Sequence, residues 1–195
     1  IADETKRPSL TSQIAKAIVD AIESYAVFRF WFNEVLDESV TTTANVASYT
    51  IPTNFRSLIL GEITSGGQRT ELCEGMDWDE YRACTRNSTP TAQPTDIIFF
   101  GRNYYLFPTP AGAYPLALSY CSALDPFVDD SSSNAWTTEA EPLIRARAKW
   151  DLFANVVRSP DEAAENAQIE REWLGRLQTR SAGYGRKKTV QAMQF

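Results

Sequence analysis

The side chains that most often carry out chemistry are few in this sequence, and their spacing does not favour catalysis. Histidine is absent from all 195 residues. Its absence excludes Ser-His-Asp and Cys-His nucleophilic machinery, histidine-liganded zinc and an imidazole proton shuttle together. Cys73, Cys84 and Cys121 stand 11 and 37 residues apart. They form no CxxC pair, and an odd number closes no disulfide framework, so they read as reduced thiols that serve packing. Neither G-x-G-x-x-G nor G-x-x-x-x-G-K-[ST] occurs, which leaves no glycine loop for a phosphate. Asp77, Asp79 and Glu80 have the chemistry of a general acid–base pair or a divalent-cation site. With Trp78 and Tyr81 among them, they read instead as the solvated face of a short helix. Asp125, Asp129 and Asp130 lie in a serine-rich loop without the glycine and terminal glutamate of a calcium-binding loop. Trp31, Tyr104 and Tyr105 offer rings on which a sugar can stack, although neighbours in a strand such as Tyr104 and Tyr105 point to opposite faces. No catalytic, cofactor-binding or metal-ligating residue is assigned. A cofactor-free protein that is not an enzyme is expected.

Composition sets the frame for these residues. At 43% hydrophobic and 23% charged, the chain has an ordinary globular composition and is long enough to bury a core without covalent staples. A net charge of −6 argues against the whole protein binding nucleic acid. No apolar run approaches the roughly 18–20 residues of a membrane-spanning helix. The chain opens on Ile1 rather than Met, which leaves room for a segment upstream.

Ser9 is placed to cap a first helix whose stripe is Ile14, Ile18, Ile22 and Tyr25. The period then shortens to two: Phe28, Phe30 and Phe32 alternate with Arg29, Trp31 and Asn33, which predicts a strand. Further strands are predicted in VTTTANVASYTIP and FRSLILGEIT, then beyond the Ser65-Gly66-Gly67 turn in QRTELCE. A short helix over MDWDEYRACTR and a polar loop follow. TDIIFFG and YYLFPTP make a hairpin around Gly101-Arg102-Asn103. A last strand in AYPLALSYCSALD carries Leu116, Leu118 and Tyr120 on one face, and Pro115 suggests a sheet edge at its start.

The final third is helical. Thr138 with Glu141 reads as a capping box, Pro142 fits the first turn, and Leu143, Ala146, Trp150, Phe153 and Val157 form a seam. Ser159-Pro160-Asp161-Glu162 caps the next helix. That helix carries Ala163, Ala167, Leu174 and Leu177, broadened by Ile169 and Trp173, and is predicted to stop before Gly183. Residues 161–172 hold Asp161, Glu162, Glu165, Glu170 and Glu172 against Arg171, a formal −4; residues 180–195 hold Arg180, Arg186, Lys187 and Lys188 against no acid, a formal +4. This basic end is either a solvated terminus or a segment that orders on a partner, protein or nucleic acid.

The stretches FRFWFNE, YTIPTNFRSL, NYYLFPTPAGAYPLALSYCSALD and NAWTTEAEPLIRARAKWDLFANVV, in that order, resemble the adaptor proteins of tailed bacteriophages, the head–tail connector family of podovirus-like phages. The layout is matched from Leu10 to about Ala182. The resemblance implies a virion protein at the neck. It would form a homo-oligomeric ring, usually of twelve copies, beneath the portal protein, extend the channel through which DNA passes without specific binding, and offer a platform to tail or nozzle proteins. It also implies that the C-terminal segment docks on the portal. Carried onto this sequence, that segment is Tyr184, Arg186, Lys187, Lys188, Val190, Met193 and Phe195. A ring of heterologous contacts needs complementary faces. Arg145, Arg147 and Lys149 on one helix and Glu162, Glu165, Glu170 and Glu172 on the next supply them, unless they pair within the chain. The expected fold is α+β, with a three-helix core over 8–27 and 137–182. A small antiparallel β sandwich-like insertion over 28–125 and an extended C-terminal tail over 183–195 complete it. The alternative reading is a sheet-borne module that recognises a glycan or host surface ligand.

Overall fold

The structure is a computed structural model, and it describes residues 10–124 and 132–185, with side chains to residue 183. In chain order the elements are α1 (Thr11–Tyr25), β1 (Glu34–Thr41), β2 (Ser48–Thr50), β3 (Phe55–Ser65), β4 (Gln68–Leu72), α2 (Trp78–Thr85), β5 (Thr91–Ala92), β6 (Asp96–Phe100), β7 (Asn103–Phe107), β8 (Thr109–Pro110) and β9 (Pro115–Ser122). The helical part follows as α3 (Ala135–Thr138), α4 (Glu141–Asp151), a π-helical turn (Leu152–Val157) and α5 (Pro160–Gly185). The chain divides into two units: Ile1–Asn33 with Leu124–Phe195, and Glu34–Ala123.

This corrects the expected fold. The chain is α+β, but it is not a three-helix core bearing a small insertion. Among the described residues there are five α-helices, and the strands form three sheets. The sheet unit has a hydrophobic core of its own, built on Ile63, Leu72, Ile97, Tyr104, Leu106, Leu116, Leu118 and Tyr120. Those residues come from strands of both larger sheets, whose inward side chains meet in one interior. The four-stranded sheet has the antiparallel order β1-β9-β3-β4, and the three-stranded sheet the order β2-β7-β6. A parallel pair, β5-β8, makes the third sheet, so the β part is not wholly antiparallel. Pro115 does not mark a sheet edge. It opens β9, which lies between β1 and β3, and as first residue it costs the ladder little.

Residues 28–33 are not a strand. Asn33, 1% exposed, accepts from the Phe30 N–H and donates to the Phe28 carbonyl, both at 2.9 Å, and so folds the segment back on itself. Phe30 and Phe32 stack at 5.3 Å, and both meet Trp136 edge-on. Aromatic alternation here arises from a loop filling the helical core rather than from a pleat.

That helical core joins Ile14, Ala17, Ala21, Tyr25, Phe30, Trp136, Leu143, Ile144, Ala148 and Leu152. On α1 the buried stripe is Ile14, Ala17, Ala21 and Tyr25, while Ile18 and Ile22 are half-buried. From the start of α4 into the π turn the buried residues are Ala140, Leu143, Ile144, Ala146, Ala148 and Leu152, whereas the expected Trp150, Phe153 and Val157 are half-buried. The expected Thr138–Glu141 capping box does not form. Asn134 caps α3 together with Thr137, whereas α4 begins after Ala140 without a side-chain cap. Arg158 adopts φ 59° between the π turn and α5, which lets the chain reverse within a few residues. Helix α5 runs on through Gly183 to Gly185.

Candidate functional site

The charged residues singled out on α4 and α5 separate into two groups. Arg147 Nη1 lies 3.3 Å from Glu170 Oε1, and the same carboxylate oxygen accepts from the Tyr25 hydroxyl. One carboxylate therefore ties α1, α4 and α5 together. The Glu170 side chain is only 14% exposed. Arg147 also lies over the Trp150 ring at 4.3 Å, so its aliphatic stem and its charge are both used. Burial first, and then the bond to Glu170, push the Tyr25 phenol well above its ordinary pKa, so it stays a donor. Arg145 pairs with Glu141 one turn before it. Glu162 accepts from the Ser159 hydroxyl and Glu172 from Gln168, while Glu165 is exposed. Among the described residues no cation pairs with Glu162, Glu165 or Glu172. Lys149 is half-buried on α4.

Arg180 supplies a second tie, reaching Glu139 at 3.0 Å and lying 4.1 Å from the Trp31 ring centroid. Tyr184 lies on the last turn of α5; Arg186, Lys187, Lys188, Val190, Met193 and Phe195 lie outside the described residues.

The candidate chemistries resolve into structural roles. Asp77 accepts from the Glu80 N–H at 2.8 Å while Glu80 accepts from the Asp77 N–H at 3.1 Å, a capping box for α2. No group of three or more metal-binding side chains occurs among the described residues. Asp125, Asp129 and Asp130 fall outside them. The rings offered for sugar stacking are occupied: Trp31 by Arg180, Tyr104 in the sheet core, and Tyr105 against Trp78 and Tyr81. As adjacent residues of β7, Tyr104 and Tyr105 do point to opposite faces. Of the thiols only Cys121 is buried, whereas Cys73 and Cys84 are exposed, so packing explains one of the three.

The chain matches the SU10 adaptor protein family over residues 1–192. It belongs to that family. Its members are structural proteins of phage virions rather than enzymes, which accords with a charged network whose groups brace helices. No curated protein matches the chain. Among the described residues no helix is long and apolar enough to cross a membrane.

One feature of this adaptor escaped the sequence. Strand β4 accompanies β3 only from Ser65 back to Gly61, and at Cys73 the chain crosses to the second sheet. Cys73 donates to the Thr95 carbonyl at 2.8 Å and accepts from Ile97 at 2.9 Å. Where the sheets part, a groove of about 550 Å³ opens. Its lining includes Ile51, Phe55, Leu58 and Phe99, with Phe55 and Phe99 stacked at 5.2 Å, together with Arg56, Arg102 and Glu74. No local motif announces it, because residues far apart in sequence, from β3 and from the β6–β7 hairpin, line it together.

Proposed function

We propose that this adaptor forms a ring beneath the portal of a tailed phage, extends the DNA channel and gives the tail its attachment platform. The observation that carries this reading is the family match along nearly the whole chain. Two features of the residues support it. The protein carries a net −6, and a channel wall of that sign passes DNA without gripping it. The acids of α5 also present Glu162, Glu165 and Glu172 without an intrachain cation among the described residues. A head-to-tail ring places one face of each subunit against a different face of the next, and the acids of α5 suit a basic face on the neighbour. Arg147 and Glu170 are engaged within the chain and hold the hairpin that presents both faces.

The basic segment from Tyr184 to Phe195 is the portal contact in this reading. Arg186, Lys187 and Lys188 meet acidic portal groups, and Val190, Met193 and Phe195 enter apolar pockets. Native mass spectrometry of the full chain, alone and mixed with the portal ring of the same virus, tests it. Many copies on one portal, lost on deletion of residues 184–195, is the expected result. A chain that stays monomeric and ignores the portal overturns the proposal.

A further inference from the structure

We infer that one ordered water molecule is held between the two larger sheets, bonded to the Tyr104 hydroxyl, the Asp37 carboxylate and the Tyr49 hydroxyl. It fastens the edge strand β1 to the sheet that faces it. The Tyr104 side chain lies in the sheet core, 1% exposed, and its hydroxyl meets no hydrogen-bonding partner among the described residues. A buried hydroxyl without a partner is destabilising, and water is the usual remedy where other polar groups converge. Two converge here. Asp37 stands directly opposite Leu118 of the core, between Val35 and Val40, so its carboxylate shares their inward face. Just beyond it β1 bulges, and there the Ser39 N–H donates to Asp37 Oδ1 at 2.9 Å, which leaves Oδ2 for another donor. Tyr49 lies directly opposite Tyr104 on β2, the two rings stacked 5.5 Å apart at 17°. Its hydroxyl accepts from the Thr43 N–H and donates to the Val46 carbonyl, both at 2.9 Å, and keeps one lone pair. After burial, the charges of Tyr49 and Asp37 are what raise the Tyr104 pKa, so both groups lie within electrostatic reach of that oxygen. The bonds balance: Tyr104 donates to the water, which donates one hydrogen to Asp37 and the other to Tyr49. Three bonds are the usual complement of a buried water. All of these residues belong to the sheet unit, so the site exists in the single chain whether or not copies form a ring.

Urea unfolding of the full chain gives the first test, because the two cases differ in sign. Tyr104→Phe removes the hydroxyl and keeps the ring. With the water held, that change raises the unfolding constant about tenfold, as loss of a bond in a charged network does. An orphan hydroxyl gives the reverse, a more stable Phe variant. Asp37→Ala supplies the second test. In that background Tyr104→Phe costs about threefold or less, and the cycle cancels the bond that Ser39 also loses. Crystal structures of the full chain, wild type and Tyr104→Phe, supply the third. The expected density is one water within about 3.2 Å of Tyr104 Oη, Asp37 Oδ2 and Tyr49 Oη, absent from the Phe variant. A Phe variant at least as stable as wild type, equal effects in the two backgrounds, no water at that place, or a direct Tyr104–Asp37 bond overturns the inference.

Discussion

Replacing Tyr25 by Phe removes one oxygen and tests whether Glu170 is the tie that unites α1, α4 and α5. Tyr25 is 5% exposed, and its hydroxyl shares Glu170 Oε1 with Arg147 Nη1. Phenylalanine keeps the ring and its packing, so no cavity term enters. What is lost is one hydrogen bond to a largely buried carboxylate, and bonds to charged groups contribute about 1.5–3 kcal/mol. Glu170 retains Arg147, which places the expected loss near the lower end, about 1.5–2 kcal/mol. For a chain of this size that loss lowers Tm by about 3–8 °C. The direct assay is a double-mutant cycle of Tyr25→Phe and Glu170→Gln by urea unfolding, because shared networks are resolved only that way. A coupling of about 1 kcal/mol or more is expected. The pH dependence supplies a sign. The folded state raises the Tyr25 pKa, so the stability it confers is complete below pH 10 and declines once the unfolded chain ionises above it. The gap between wild type and Tyr25→Phe should therefore narrow above pH 10. Additive single changes, or a gap that widens with alkali, would refute the tie.

Burial is the leading cause that holds Tyr81, Tyr104 and Tyr120 above the ordinary phenol pKa, as it does Tyr25. Alkaline titration followed by phenolate absorbance should show these four phenols ionising above the ordinary phenol range while the chain stays folded; their ionisation near 10 in the folded chain contradicts it. Asp77→Ala removes the cap of α2 and should cost about 1 kcal/mol in urea unfolding, with calcium or EDTA leaving the wild-type midpoint unchanged. A midpoint that moves with calcium would make Asp77 a ligand rather than a cap.

Elements fixed by local chemistry were legible. The β3–β4 turn needs positive φ at Gly66 and Gly67 and has it, at 58° and 79°, and Gly101 at 65° turns the β6–β7 hairpin. Helix α5 begins where Pro160, Asp161 and Glu162 said it would. Elements fixed by long-range packing were not. The Phe28–Phe32 alternation has the period of a strand, yet no neighbouring strand claims it, and Trp136, more than 100 residues away, collects two of its rings instead. On α1 the alanines outrank the isoleucines in burial because close approach to α4 favours the small side chains at Ala17 and Ala21. The second core escaped for a related reason. Strand patterns show that a face is buried but not whether two sheets bury it against each other, nor that β3 and the β6–β7 hairpin line one groove.

The same limit explains the charged residues and decides which of them a partner can use. Sequence spacing puts Arg145, Arg147 and Lys149 near the acids of α5 without saying which carboxylate each side chain selects. Glu170 stands out because it faces α1 and α4 together; a buried carboxylate must find donors, and Tyr25 and Arg147 are those within reach. Glu162, Glu165 and Glu172 are exposed, and exposed ion pairs add under about 1 kcal/mol. Among the described residues, pairing with a cation therefore falls on Glu170, where it fixes the hairpin, and not on Glu162, Glu165 or Glu172. A surface of that kind contributes little to the stability of one chain, and its net charge becomes consequential only when another subunit excludes the water. Charge reversal at Glu165 should then leave the urea midpoint of the isolated chain within about 0.5 kcal/mol of wild type while reducing the number of copies on the portal. An equal loss in both measurements would mean that the acid face braces the monomer instead.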